Sequence, residues 1–222
     1  MSEMPQELRV GFRRELANME VLVEQLFGYV VEGIPGATDA LLTGDAGSVR
    51  ALHEREKVID AVWQGLEAKV NELLLREAPV ASDLRYLLTV VRVVPELERS
   101  GDLAQHIAVR GTKGLADQLS PRARGLVTRM GDVAGAMWRD LASAWSSRQL
   151  EDIDHLDDID DELDELHASL VAEVASTAAS TSVAMEMALV ARFYERLGDH
   201  AVNIARRLAY LAGSAEQGQS DA

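Results

Sequence analysis

Apolar side chains recur along most of this chain at alternating steps of three and four residues, the spacing that lays one seam along an α-helix. The longest seam runs through Met187, Val190, Tyr194, Leu197, Ala201, Ile204, Leu208 and Leu211. A second runs through Leu156, Ile159, Leu163, Leu166 and Leu170, and a third through Val90, Val93, Leu97, Ser100, Ala104 and Ile107. No segment alternates strictly every second residue, so strands are not expected. The composition agrees, with only 5% aromatic residues and many straight-chain residues that lose little freedom in a helix. The expectation is an all-α fold.

Punctuation places the helix ends. Gly44-Asp45-Ala46-Gly47-Ser48 reads as a stop followed by a cap from Asp45 or Ser48. Ser120-Pro121 reads as an N-cap with proline at the first helical position. Pro79 and Ser82-Asp83 separate two further helices, and Ser176 to Ser182 is a small-residue hinge. Pro35-Gly36 is expected to kink or interrupt the first helix. The result is six helices, over 6–42, 46–77, 83–116, 121–147, 149–175 and 182–212, with a frayed or disordered polar tail over 213–222.

Glu98-Arg-Ser-Gly-Asp-Leu-Ala-Gln-His-Ile-Ala108 returns 97 residues later as Glu195-Arg-Leu-Gly-Asp-His-Ala-Val-Asn-Ile-Ala205, with seven of eleven positions identical. Four of the seven are Glu, Arg, Gly and Asp, which low-complexity alanine or leucine repetition does not generate. The chain therefore divides into a first three-helix repeat over 1–118, a second over 119–213 and a tail over 214–222.

The repeated segment sets a like-charged pair one helical turn apart on each copy: Glu98 with Asp102, and Glu195 with Asp199. Such pairs repel by a few tenths of a kcal/mol. A repulsive pair chosen twice suggests a cation that offsets it, and carboxylates suit Mg, Mn, Fe or Zn. Each pair also continues an apolar stripe: Leu84, Leu87, Val91 and Val94 lead to Glu98, and Ala184, Ala188 and Ala191 lead to Glu195. Gly101 and Gly198 between the acids leave room for close approach. The alternative is a set of surface carboxylates paired with Arg99, Arg196 or another arginine, and the spacing leaves both open.

In the second helix Glu56 interrupts the seam Leu52, Ile59, Trp63, Leu66, Val70 and Leu73, with Asp60 beside it. Matching Ile59 to Ile159 sets Asp160 opposite Asp60, while Leu156 stands where Glu56 would repeat. A polar seam residue can also serve only to fix register. Residues 151–165 contain ten acids and no Lys or Arg. Most lie opposite the seam and read as a solvated face, with Asp160 at its edge. His155 and His167 follow Asp152 and Asp164 by three residues but read poorly as ligands. The tryptophans Trp63, Trp138 and Trp145 read as packing.

Several function classes drop out. There is no cysteine and the net charge is −15, so disulfides, thiolate sites and nucleic-acid binding are not expected, and a reducing cytoplasm fits. No apolar run is long enough to span a membrane. No glycine-rich nucleotide loop and no Ser, His and Asp grouping can be assembled, so no catalytic residue is assigned.

The paired Glu98…Asp102 and Glu195…Asp199 motifs resemble those of the PhoU family. So do the segment Pro79-Val-Ala-Ser-Asp-Leu-Arg85 and the stretch Val58-Ile59-Asp60. The resemblance covers residues from about 8 to 212. It implies two pseudo-symmetric three-helix bundles, often as a homodimer, with multinuclear metal clusters (iron or zinc in some members) at the two motif pairs. It also implies a negative regulator of phosphate homeostasis. Such a regulator couples the ATPase subunit of a phosphate ABC transporter to a sensor histidine kinase and represses the starvation response when phosphate is plentiful. The metal-ligand set it suggests here is Glu98, Asp102, Glu195, Asp199, Asp60, Asp160 and Glu56. His106, where the second copy has Asn203, and Leu156 depart from a symmetric pair of sites. Residues near Val183 do not reproduce the Ser-Asp-Leu-Arg segment. Two rivals are a ferritin-like carboxylate-bridged metalloprotein, whose Glu-x-x-His pattern is missing here, and a metal-free helical scaffold.

Overall fold

The computed structural model describes the backbone of residues 6–77, 79, 81–149, 153 and 155–220. These residues form α1 (Gln6–Thr43), α2 (Ala46–Arg76), α3 (Ala81–Gly111), a 3-10 turn (Ala116–Gln118), α4 (Pro121–Ser147), α5 (Leu156–Thr177) and α6 (Thr181–Ser220). No strand occurs among them.

The caps follow the local rules. The Ser48 backbone N–H donates to Asp45 Oδ2 at 2.7 Å, and the Ala123 N–H donates to Ser120 Oγ at 3.0 Å with Pro121 opening α4. Four expectations need correction. α1 runs through Pro35 without interruption, because Ile34 and Ala37 on either side are fully buried and tertiary packing outweighs one lost backbone hydrogen bond. α3 stops at Gly111, short of 116. A Cβ at Gly111 would meet the Ala40 carbonyl oxygen at 2.1 Å, and Gly114 just beyond adopts φ +62°. α5 begins at Leu156 instead of 149; Asp152 and its neighbours 150, 151 and 154 lie outside the described residues. α6 continues to Ser220, since Ala, Glu and Gln have high intrinsic helix propensity.

Within the first repeat α1, α2 and α3 pack on one another, and α4, α5 and α6 do the same in the second. The repeats then meet α1 against α4 and α3 against α6, so each of these helices contacts its own counterpart. A duplicated unit packed about a pseudo-twofold axis produces this pattern. The core runs across the junction: Phe27 of α1 lies 6.5 Å from Trp138 and 5.4 Å from Trp145 of α4, centroid to centroid. Both tryptophans are fully buried, whereas Trp63 is only half-buried.

Polar contacts then fix the register of the halves. Within the second repeat Trp138 Nε1–H of α4 donates to the Leu197 carbonyl of α6 at 3.0 Å, and two further bonds join the halves. Thr38 Oγ1 donates to the Ile34 carbonyl, so it accepts from the Tyr194 hydroxyl at 2.7 Å. Ser100 Oγ donates to the Glu96 carbonyl, which leaves it to accept from the His200 Nδ1–H at 3.0 Å. Burial, followed by the nearby charges of Arg196 and Arg99, pushes the His200 pKa down to about 4. It is neutral at neutral pH and acts as a packed donor. At the counterparts of His200 and Ser100 the chain places Leu103 and Leu197, both buried.

Candidate metal-binding seams

The duplicated motifs lie where the outer helix of each repeat crosses the motif helix: α2 on α3, and α5 on α6. The glycines permit this crossing. A Cβ at Gly101 would come within 2.6 Å of Ile59 Cδ1, and one at Gly198 within 2.2 Å of Asp160 Oδ1 and 2.9 Å of Leu163 Cδ1. Ile59 and Asp160 come from the adjoining helices, so the pairing of α2 with α5 read from the sequence is the pairing that packing uses.

In the first seam Glu98 is partly buried. Its carboxyl is held above the ordinary glutamate value, first by burial and then by the charges of Asp60 and Asp102, with Glu56 adding to them and Arg99 opposing. The four acids predicted for this repeat are therefore one electrostatic group. Two histidines edge it: His53 Nδ1 is 3.3 Å from Glu56 Oε2, and His106 Nδ1 is 3.5 Å from Asp102 Oδ2.

In the second seam burial, followed by Asp199, Asp164, Glu195 and Asp157, pushes Asp160 up to about 6. Glu195 is also raised, first by burial, with Arg192 opposing, Asp199 raising and His167 opposing. Glu195 has only 13% of its side chain exposed; one oxygen pairs with Arg192, and Oε2 is buried with no hydrogen-bond partner.

All seven predicted acids thus fall into two groups, Glu56, Asp60, Glu98 and Asp102 in one and Asp160, Glu195 and Asp199 in the other. Three further neighbours were not among the predicted ligands. Asp164 follows Asp160 by one turn, Arg192 precedes Glu195 by one turn, and His167 of α5 lies near enough to act on the charge of Glu195. His155, in contrast, turns away to Asp140 of α4 at 3.2 Å.

Among the described residues no three His, Asp or Glu side chains are gathered into a closed ligand set. The donor chemistry nevertheless suits a hard or borderline cation, because carboxylates converge on a partly desolvated seam and one buried oxygen has no donor. Among the described residues no helix is long and apolar enough to cross a membrane.

These features define a duplicated all-helical protein with one carboxylate seam per repeat. The chain belongs to the PhoU family: the model of the PhoU domain matches residues 23–110 and again 127–208. Among similar proteins is the phosphate-specific transport system accessory protein PhoU homolog 1 of Mycobacterium tuberculosis, 31% identical over 208 residues, covering 92% of this chain and 94% of that protein. The PhoU homolog of Pseudomonas putida is 29% identical over 204 residues, covering 90% and 80%. The crystal structure of PhoU from Pseudomonas aeruginosa superposes with a TM-score of 0.83 at 25% identity over 90% of this chain and 98% of that one. The phosphate transport system regulatory protein PhoU from Streptococcus pneumoniae shares the fold, with a TM-score of 0.74 at 24% identity, covering 90% and 96%.

Proposed function

We propose that this protein is a cytoplasmic, non-enzymatic regulator of phosphate uptake. On this reading it is a metal-binding adaptor, working as a homodimer, between the ATPase subunit of a phosphate ABC transporter and a sensor histidine kinase. It represses the starvation response when phosphate is plentiful. The observation that carries this reading is the match of the PhoU domain to both repeats, joined to relatives named as accessory proteins of phosphate-specific transport. The absence of cysteine suits a reducing compartment, and the net charge of −15 favours protein partners over operator DNA.

Glu56, Asp60, Glu98 and Asp102 would hold metal in the first seam, and Asp160, Glu195 and Asp199 in the second. A bound iron, zinc, manganese or magnesium ion would supply positive charge that offsets the clustered carboxylates and ties each outer helix to its motif helix. The carboxylates orient from two helices, and Gly101 and Gly198 keep those helices close enough for both to reach the seam.

Deleting the gene tests the regulatory role. Phosphate-starvation reporters should be expressed at high phosphate in the deletion strain and return to repression on complementation. Intact repression without the protein, in a strain with no paralogue, overturns the assignment.

A further inference from the structure

The two carboxylate seams are offset copies of one another, and the residue one turn before each glutamate differs. Glu195 is preceded by Arg192, and Glu98 by Pro95. Arg192 pairs with Glu195 while remaining 51% exposed; among the described residues Glu98 has no salt bridge. Across the seam the same asymmetry appears. His167 of α5 lies beside Glu195, and the matching position on α2 is Glu67. The second seam thus carries an arginine paired directly with its glutamate, whereas the basic groups nearest the first are His53 on Glu56, His106 on Asp102 and the charge of Arg99.

We propose that Arg192 is a resident cation of the second seam, competing with divalent metal for Glu195, so that the first seam fills first and the second only after Arg192 swings out. This inference rests on the metal-binding reading above. A guanidinium keeps its proton at any physiological pH and presents a planar fork to carboxylates, so Arg192 neutralises Glu195 permanently until displaced. It satisfies one oxygen and leaves Oε2 buried without a partner, an incomplete substitution that a metal ion can improve on. The half-exposed side chain has solvent to move into. Displacing a partly exposed pair of this kind lowers affinity by a few-fold to about tenfold. A protein built this way passes through a half-loaded state as metal rises, although its sites arose by duplication.

The test is Mn²⁺ titration of chelator-treated full-length protein at neutral pH, followed by calorimetry and by the loss of free-ion electron paramagnetic resonance signal. Asp102→Asn and Asp199→Asn assign each phase to its seam. The wild type should show a tighter phase lost in Asp102→Asn and a weaker one lost in Asp199→Asn. Arg192→Gln should tighten the weaker phase by about tenfold and leave the other in place. Pro95→Arg, which installs the competitor in the first repeat, should weaken the tighter phase by a similar factor. Circular dichroism establishes that each variant is folded, and the two substitutions act in opposite directions, so a loss of folding in one leaves the other decisive. Phases unmoved by both substitutions overturn the competition while leaving metal binding intact. No Mn²⁺ uptake by the wild type at either seam overturns the metal-binding reading and this inference together.

Discussion

Asp160 sits where α5 crosses α6, against Gly198, and among the acids of Asp199, Asp164 and Glu195. Burial and these charges push its pKa up to about 6, above the ordinary aspartate value of about 4. The folded chain therefore holds this proton over a range in which the unfolded chain has lost it. Its contribution to stability is complete below about pH 4 and disappears as the pH rises through about 6. Glu98 and Glu195 are displaced the same way, so they add to the slope. With chelator present, Asp160→Asn should flatten the dependence of Tm on pH between about 4 and 6.5 and raise Tm at pH 7. Calorimetry across that range is the check, and a lower Tm at pH 7 with an unchanged slope contradicts the account.

At the scale of elements, the glycines of α3 do different work. Gly111 lies against the backbone of α1, where an added Cβ would meet the Ala40 carbonyl oxygen at 2.1 Å, the Ala40 carbonyl carbon at 2.8 Å and the Leu41 Cα at 2.9 Å. Backbone cannot move aside as a side chain can. Gly111→Ala is expected to cost about 2–3 kcal/mol and lower Tm by roughly 4–12 °C. At Gly101 the obstructing group is the end of the Ile59 side chain, which can rotate, and alanine gains about 1 kcal/mol in helix propensity. Gly101→Ala should therefore stay within about 1 kcal/mol of the wild type. Chemical denaturation of both variants separates the cases; equal losses would show that backbone contact is not what fixes the end of α3.

The whole molecule is less divisible than its repeats. Phe27 packs on Trp138 and Trp145, Thr38 bonds Tyr194, and Ser100 bonds His200, each contact joining one repeat to the other. Truncating a buried tryptophan alone costs about 3–5 kcal/mol, and cutting the chain at 118 removes both at once from the first repeat. The isolated segment 1–118 should retain helical circular dichroism but melt without a cooperative transition, whereas the full chain melts in one. A sharp, reversible melt of the separate repeat contradicts this view of a shared core.

What was legible in the sequence was what local rules control. The three-and-four spacing set the six helices, the Asp45-to-Ser48 stretch and Ser120 set two of their starts, and the offset motif set the duplication. The placement of Glu98 with Asp102 and of Glu195 with Asp199 on single faces followed from 3.6 residues per turn. Matching Ile59 to Ile159 identified α2 and α5 as counterparts, although against the motif glycines the structure sets Ile59 and Asp160 in the equivalent places, one residue from that match. Contacts between helices were not legible, because they depend on rotation and register set by packing. Only the folded structure carried α1 through Pro35, ended α3 at Gly111 and brought His200 to Ser100. It also brought His167 near Glu195 and set Arg192 on that carboxylate. Repetition in the sequence made the two seams look alike, and the residues that face them from neighbouring turns and helices made them different.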